Sequence, residues 1–141
     1  MKRLYYILTV IGLMVSGLFI SCDLERSENG DLDGIWKLQE IDSLATGKHV
    51  DTSSSSLAFA VQAHLIQLNG GGKMVLCRFE HKADSLVIFD PYINHKTPLE
   101  DVNVLKPYGF MGLRQAFLIE KLTGKRMILK TDELRMWFEK Y

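Results

Sequence analysis

The chain has 141 residues, 17 basic and 17 acidic side chains, 47% apolar residues and two cysteines. That length is one domain's worth, and so apolar a chain with balanced charge is not a disordered one. A neutral total also excludes a typical nucleic-acid binder, which carries a basic excess to neutralise phosphates.

Lys2 and Arg3 precede an uncharged, mostly apolar run from Leu4 to Ile20. A spanning helix needs about 20 apolar residues. This run is at the short end and is interrupted by Thr9, Gly12, Ser16 and Gly17, so it reads as a secretory signal. Its end, Leu18-Phe19-Ile20-Ser21-Cys22, resembles the lipobox of bacterial lipoproteins. The resemblance implies cleavage of residues 1–21 as a signal peptide and a diacylglycerol thioether on Cys22. An uncleaved anchor and a released product are the other readings of the segment. One acyl chain holds a protein only marginally, whereas two or three anchor it firmly. The expected location is the bacterial cell envelope, with the outer membrane favoured and either its periplasmic or its surface face exposed. With Cys22 lipidated, Cys77 has no partner for a disulfide.

Residues 22–33 read as the lipidated Cys and a flexible acidic tether. Asp23 to Asp33 holds five acidic residues and one Arg, with Leu24 and Leu32 its only aliphatic side chains. Such a segment buries too little surface to offset the cost of ordering. Acidic residues after the Cys also resemble the surface-export signals of some lipoproteins.

From Gly34 to Tyr141 the pattern is that of strands. Ile35–Leu44 opens the series, and Leu57–Leu68 is a long apolar run ending at Asn69-Gly70-Gly71-Gly72, a strong turn signal. Met74–Glu80 and Ser85–Asp90 flank a loop at residues 81–84. Thr97-Pro98-Leu99-Glu100 fits a capping box with Pro at the first helical position, predicting a short helix from Pro98 to about Lys106, stopped by Pro107. Ala116–Lys121, Lys125–Lys130 and Leu134–Tyr141 form a meander. Its expected register sets Phe117 against Leu129, Ile119 against Met127 and Glu120 against Arg126. The next loop would set Leu129 against Leu134 and Met127 against Met136. These are seven clear strands, and an eighth is expected at Tyr108–Met111.

Gly34-Ile35-Trp36 at the first strand and Leu134-Arg135-Met136-Trp137-Phe138-Glu139-Lys140 at the last resemble the lipocalin-like (calycin) domains of bacterial lipoproteins, many of unknown function. The resemblance covers roughly residues 32–141. It implies an all-β, antiparallel up-and-down barrel of about eight strands, with the short helix near residues 98–106 inserted. It also implies a basic residue packed over the opening Trp. Lys140 has the inward parity for that role over Trp36, and Arg135 does not.

Such barrels hold one small ligand or fill with side chains. If the face of Leu57–Leu68 bearing Ala58, Ala60, Gln62 and His64 points inward, Ala60 leaves room, Gln62 and His64 supply polar handles, and Trp36 joins the pocket. If the face bearing Phe59 and Val61 points inward, the interior is packed. Thr46–Ser56 would be the loop over the mouth. The first outcome makes a carrier of a small apolar or amphipathic molecule. The second makes an interaction module engaging another envelope protein through Trp137, Leu118 and Ile128 on the outer parity. A monomer is expected in either case. No nucleophile elbow, P-loop or zinc-protease motif occurs. Cys77 and His81 would lie about 13 Å apart on a strand. The four His, at 49, 64, 81 and 95, lack metal-ligand spacing. The sequence therefore predicts neither an enzyme, nor a metal site, nor a cofactor.

Overall fold

The period-two alternation from Trp36 onward is realised as β-structure in the computed structural model, which describes residues 1–6 and 28–141. The strands are β1 (Gly34–Ser43), β2 (His49–Asp51), β3 (Ala58–Gln62), β4 (Leu65–Asn69), β5 (Val75–Lys82), β6 (Ser85–Ile93), β7 (Thr97–Pro98), β8 (Gln115–Leu122), β9 (Arg126–Lys130) and β10 (Leu134–Lys140). Every pairing is antiparallel. The ladder β1-β3-β4-β5-β6-β8-β9-β10 closes through β10 on β1, which gives an eight-stranded barrel. β2 continues the line of β3 along β1, and β7 is a short addition to β6. The lipobox, Cys22 and most of the signal-like run lie outside the described residues.

The eighth strand comes from a different place than Tyr108–Met111. The long run Leu57–Leu68 folds back on itself, with Gln62 opposite Leu65 and only Ala63-His64 between them. Ala63 takes φ of 52°, a conformation that turns usually give to Gly or Asn. The two halves therefore have opposite parity: Phe59 and Val61 from β3, and Ile66 and Leu68 from β4, all face inward and are buried. The β5–β6 loop also shortens. His81 and Lys82 belong to β5, and the turn is Ala83-Asp84 alone.

Helical structure near residues 98–106 is present as 3-10 turns, at Val102–Val104 and Lys106–Tyr108. Its start moves to Asp101, whose side chain accepts a hydrogen bond from the Asn103 N–H. Thr97 and Pro98 instead pair with Ile93 and Tyr92 as β7, and Pro107 sits inside the second turn rather than ending a helix. Gly109 terminates that turn with φ of 83°, and a Cβ there would sit 2.5 Å from the Met136 sulfur. Only Gly makes this exit.

The C-terminal meander keeps its inner face but changes partners. A β-bulge at Glu120 and a loop at residues 123–125 set Ile119 against Leu129 and Leu122 against Met127. Met136 then faces Leu129, and Phe138 faces Met127. Both strand pairs of β9 slip by two residues ahead of the bulge, which preserves side-chain parity. Met127, Leu129, Met136 and Phe138 are accordingly buried as expected. Glu120 does not pair with Arg126. Its carboxylate instead accepts hydrogen bonds from Arg135 Nε and Nη2 at 3.2 and 2.9 Å.

The ladder gives the barrel two distinct ends. The start of β1, the turns at 63–64, 83–84 and 123–125, and the end of β10 gather at one, here the entry end. The loops at 44–57, 70–74, 94–114 and 131–133 gather at the other, the far end.

Candidate functional site

The entry end is sealed by the chain just before the barrel. Gly30–Leu32 forms a 3-10 turn, and Leu32 is fully buried, so residues 30–32 pack with the barrel; residues 23–27 of the expected tether lie outside the described residues. Trp36, also fully buried, donates its indole Nε1–H to the Leu32 carbonyl at 2.7 Å. Lys140 lies opposite Trp36 in the ladder, and its Nζ sits 4.6 Å from the ring centroid. The same ammonium donates to the Asp31 carbonyl at 2.8 Å. A Cβ on Gly34 would meet the Lys140 stem at 3.2 Å, at a φ of 126°. Gly34, Trp36 and Lys140 are therefore one structural latch: Gly makes room for the stem, and the stem carries the charge over the indole.

The interior is filled. Phe59 meets Phe138 with ring centroids 4.9 Å apart and Tyr108 at 6.0 Å, and Phe110 meets Phe117 edge-on at 5.6 Å. The segment over the far end contributes Leu99, Leu105, Tyr108 and Phe110, all buried, as a plug. The Tyr108 hydroxyl accepts the Gly71 N–H at 2.8 Å, which ties the plug to the Asn69–Lys73 turn. Burial raises the Tyr108 pKa, with the Gly71 hydrogen bond acting in the opposite sense. The expected mouth loop 46–56 also takes part: it contains β2, and Thr52 is buried with its hydroxyl donating to the Leu38 carbonyl at 3.1 Å.

The residues expected to line a ligand pocket do not come together. Gln62 and Ala60 point outward on β3, and His64 sits in the turn with 86% of its side chain exposed, 3.5 Å from Glu28. Trp36 alone is inside, and the latch occupies it. Of the two arrangements open for this run, the one with Phe59 and Val61 inside is realised on β3, and the turn at Ala63-His64 then brings Ile66 and Leu68 inside as well.

Cys77 is buried between strands, and burial pushes its thiol up to about 12. Such a thiol stays protonated and is a poor nucleophile. His81 is exposed and meets the Ala83 carbonyl. Among the described residues no three of His, Cys, Asp and Glu are grouped to hold a metal. Among them, too, no helix is long and apolar enough to cross a membrane.

The outer wall carries the other expected residues. Trp137 and Ile128 are direct cross-strand neighbours, both partly exposed. They line a cleft of about 370 Å³ with Glu40, Lys121, Arg126 and Glu139. Leu118 is 44% exposed but sits one row away beside Lys130, in a separate cleft of about 500 Å³. Sequence reading missed Glu40 and Lys121, because bulges at Gln39 and Glu120 bring them into the Trp137 row.

A family profile described as a lipocalin-like domain matches residues 17–141, and the chain belongs to that family. Two solved structures share the fold. One is a lipocalin-like protein from Bacteroides uniformis ATCC 8492, 21% identical over 79% of this chain and 100% of that one, with a TM-score of 0.60. The other is an uncharacterized protein from Bacteroides eggerthii DSM 20697, 20% identical over 77% and 98%, with a TM-score of 0.57. No curated protein matches the chain. The class is thus a lipocalin-like barrel, generally a binding fold.

Proposed function

We propose that this chain is a lipid-anchored protein of the bacterial cell envelope whose packed barrel binds a partner protein through its outer wall. The observation that carries the reading is the filled interior. A ligand in the barrel would have to displace Leu99, Leu105, Tyr108 and Phe110. Each buried side chain of that size contributes about 1.5–3 kcal/mol, so expelling four costs on the order of 6–12 kcal/mol. That is comparable to the entire stability of a domain, about 5–15 kcal/mol. The favoured surface is the Trp137–Ile128 cleft, where an aromatic side chain is framed by charges in the manner of an interface hot spot.

The anchor rests on the lipobox. With Cys22 acylated, the short segment before Gly30 would turn the Trp36–Lys140 end toward the bilayer and the plugged end away from it. Replacing Cys22 with Ala and fractionating cells tests the anchor, and unchanged membrane retention would remove it. Native against denaturing mass spectrometry tests the filled barrel. The expected result is only whole multiples of the acylated chain's mass under native conditions; a further small-molecule mass lost on denaturation would restore the ligand carrier.

A further inference from the structure

The charges around Trp137 are ordered rather than scattered. The ladder places Glu40, Trp137, Ile128 and Lys121 side by side on β1, β10, β9 and β8, so they form one row on the outer wall. Asp51 of β2 extends the row beyond Glu40. The row is therefore acidic at one end, apolar in the middle and basic at the other. The neighbouring row runs Lys37, Glu139, Arg126. On the opposite side Arg135 is already neutralised by Glu120 at 2.9 Å.

A surface that is acidic at one end, apolar in the centre and basic at the other is complementary to itself after a half-turn. A two-fold axis lying in the contact plane, parallel to the strands and between β9 and β10, exchanges the two ends. It sets Glu40 against the partner's Lys121, Lys121 against the partner's Glu40, and Trp137 against the partner's Ile128. In the next row it sets Glu139 against the partner's Arg126, and in the row on the other side it sets Arg135, which Glu120 already holds at 2.9 Å, against the partner's Lys130. Isologous contacts of this kind close at two subunits, and two-fold dimers are the commonest symmetric assembly. Within one chain Glu40 and Lys121 stand three strand spacings apart, about 14 Å, so they do not pair with each other.

We infer that the partner of this face is a second copy of the same chain, joined by a two-fold contact centred between Trp137 and Ile128. The inference rests on the outer-wall reading above and names its partner. It replaces the monomer expected from the sequence.

The test is a charge exchange on the full-length chain, extracted in mild detergent and followed by native mass spectrometry over a concentration series. The unaltered chain should dimerise. Glu40→Lys alone and Lys121→Glu alone each place two like-charge pairs in a homodimer and should raise its dissociation constant at least tenfold. Mixed, the two variants should form heterodimers of nearly native strength, since each swapped charge then meets its opposite; growing one variant in nitrogen-15 medium gives the two chains distinct masses, which identify the heterodimer directly. Both side chains are exposed, and unchanged urea unfolding of each variant checks that the fold is intact. A chain that stays monomeric, dimers indifferent to both reversals, or mixing without recovery would each overturn the inference. The same spectra separate this from failure of the filled barrel, which would show as a bound small molecule whatever the subunit count.

Discussion

Removing the Tyr108 side chain separates a sealed barrel from a loosely capped cup. The ring is fully buried, packs 6.0 Å from Phe59, and its hydroxyl holds the Gly71 N–H at 2.8 Å. Tyr108→Phe keeps the ring and loses only that bond. Gly71 is exposed, so water can replace the hydroxyl and the loss should be about 0.5–1.5 kcal/mol. Tyr108→Ala removes the ring from a packed interior and should cost about 3–5 kcal/mol, the range for large aromatic truncations. For a domain of this size that lowers Tm by on the order of 10–20 °C. The assay is urea and thermal unfolding of both variants beside the parent, with binding of a small aromatic such as benzene measured on the Ala variant. The new cavity is lined by apolar groups and should take up benzene, as dry apolar cavities do. If Tyr108→Ala costs under about 1 kcal/mol, the plug is not integral to the core. The barrel would then open readily and could admit a ligand at little cost.

The entry-end latch makes a second test. Lys140→Ala should cost about 0.5–2 kcal/mol and make Trp36 fluorescence more accessible to quencher, whereas Gly34→Ala should cost about 1–3 kcal/mol from strain and the crowded Lys140 stem. Cys77 should resist thiol reagents until urea unfolds the chain. Its thiol is held up to about 12 against an ordinary 9.0, so the unfolded chain loses its proton first as pH rises. Stability is therefore unaffected below about pH 9 and should fall by about 1.4 kcal/mol per pH unit above it. Cys77→Ala should lack that component of the slope, and equal slopes would show that the thiol is not buried as described. Glu120→Gln should change stability by under about 1 kcal/mol, with the difference shrinking at high salt, since the pair with Arg135 lies at the surface and is partly exposed.

The fold class and the latch are legible in the sequence because both depend on parity, which survives errors of register. The meander slips by two residues relative to the expected pairing, yet Met127, Leu129, Met136 and Phe138 remain inside, since an even slip returns every side chain to its own face. Lys140 over Trp36 follows from the same parity plus closure of β10 on β1. The turn at Ala63-His64 is not legible: neither residue is a usual hairpin signal, and the strain at Ala63 is held by the paired strands on either side. One unmarked turn reverses the parity of everything after it in that run. A continuous strand would put Gln62 and His64 on the face of Ile66 and Leu68; with the turn, Gln62 lies on the outer face, opposite to that of Phe59 and Val61, and His64 lies in the turn itself.

The bulges have the opposite consequence. Each inserts one residue, so the side chains beyond it change face relative to strict alternation. Past Gln39, Glu40 points out and Ile41 packs against the core; past Glu120, Lys121 points out and Leu122 packs inward. Strict alternation from Trp36 and Leu38 would send Glu40 inward, and strict alternation from Phe117 and Ile119 would send Lys121 inward. Buried without partners, either charge would be costly. The bulges remove that cost and at the same stroke put the two charges at opposite ends of the Trp137 row. The self-complementary face and the unburied charges are thus products of the same two insertions. A variant that deletes Gln39 removes the inserted residue, so Leu38, Glu40 and Ile41 alternate in, out and in without a bulge, and both the barrel and any dimer should survive. Glu40→Lys, which leaves the bulge intact, should affect the dimer alone. If the deletion unfolded the barrel, Gln39 would not be the inserted residue, and the ordering of the row would need another origin.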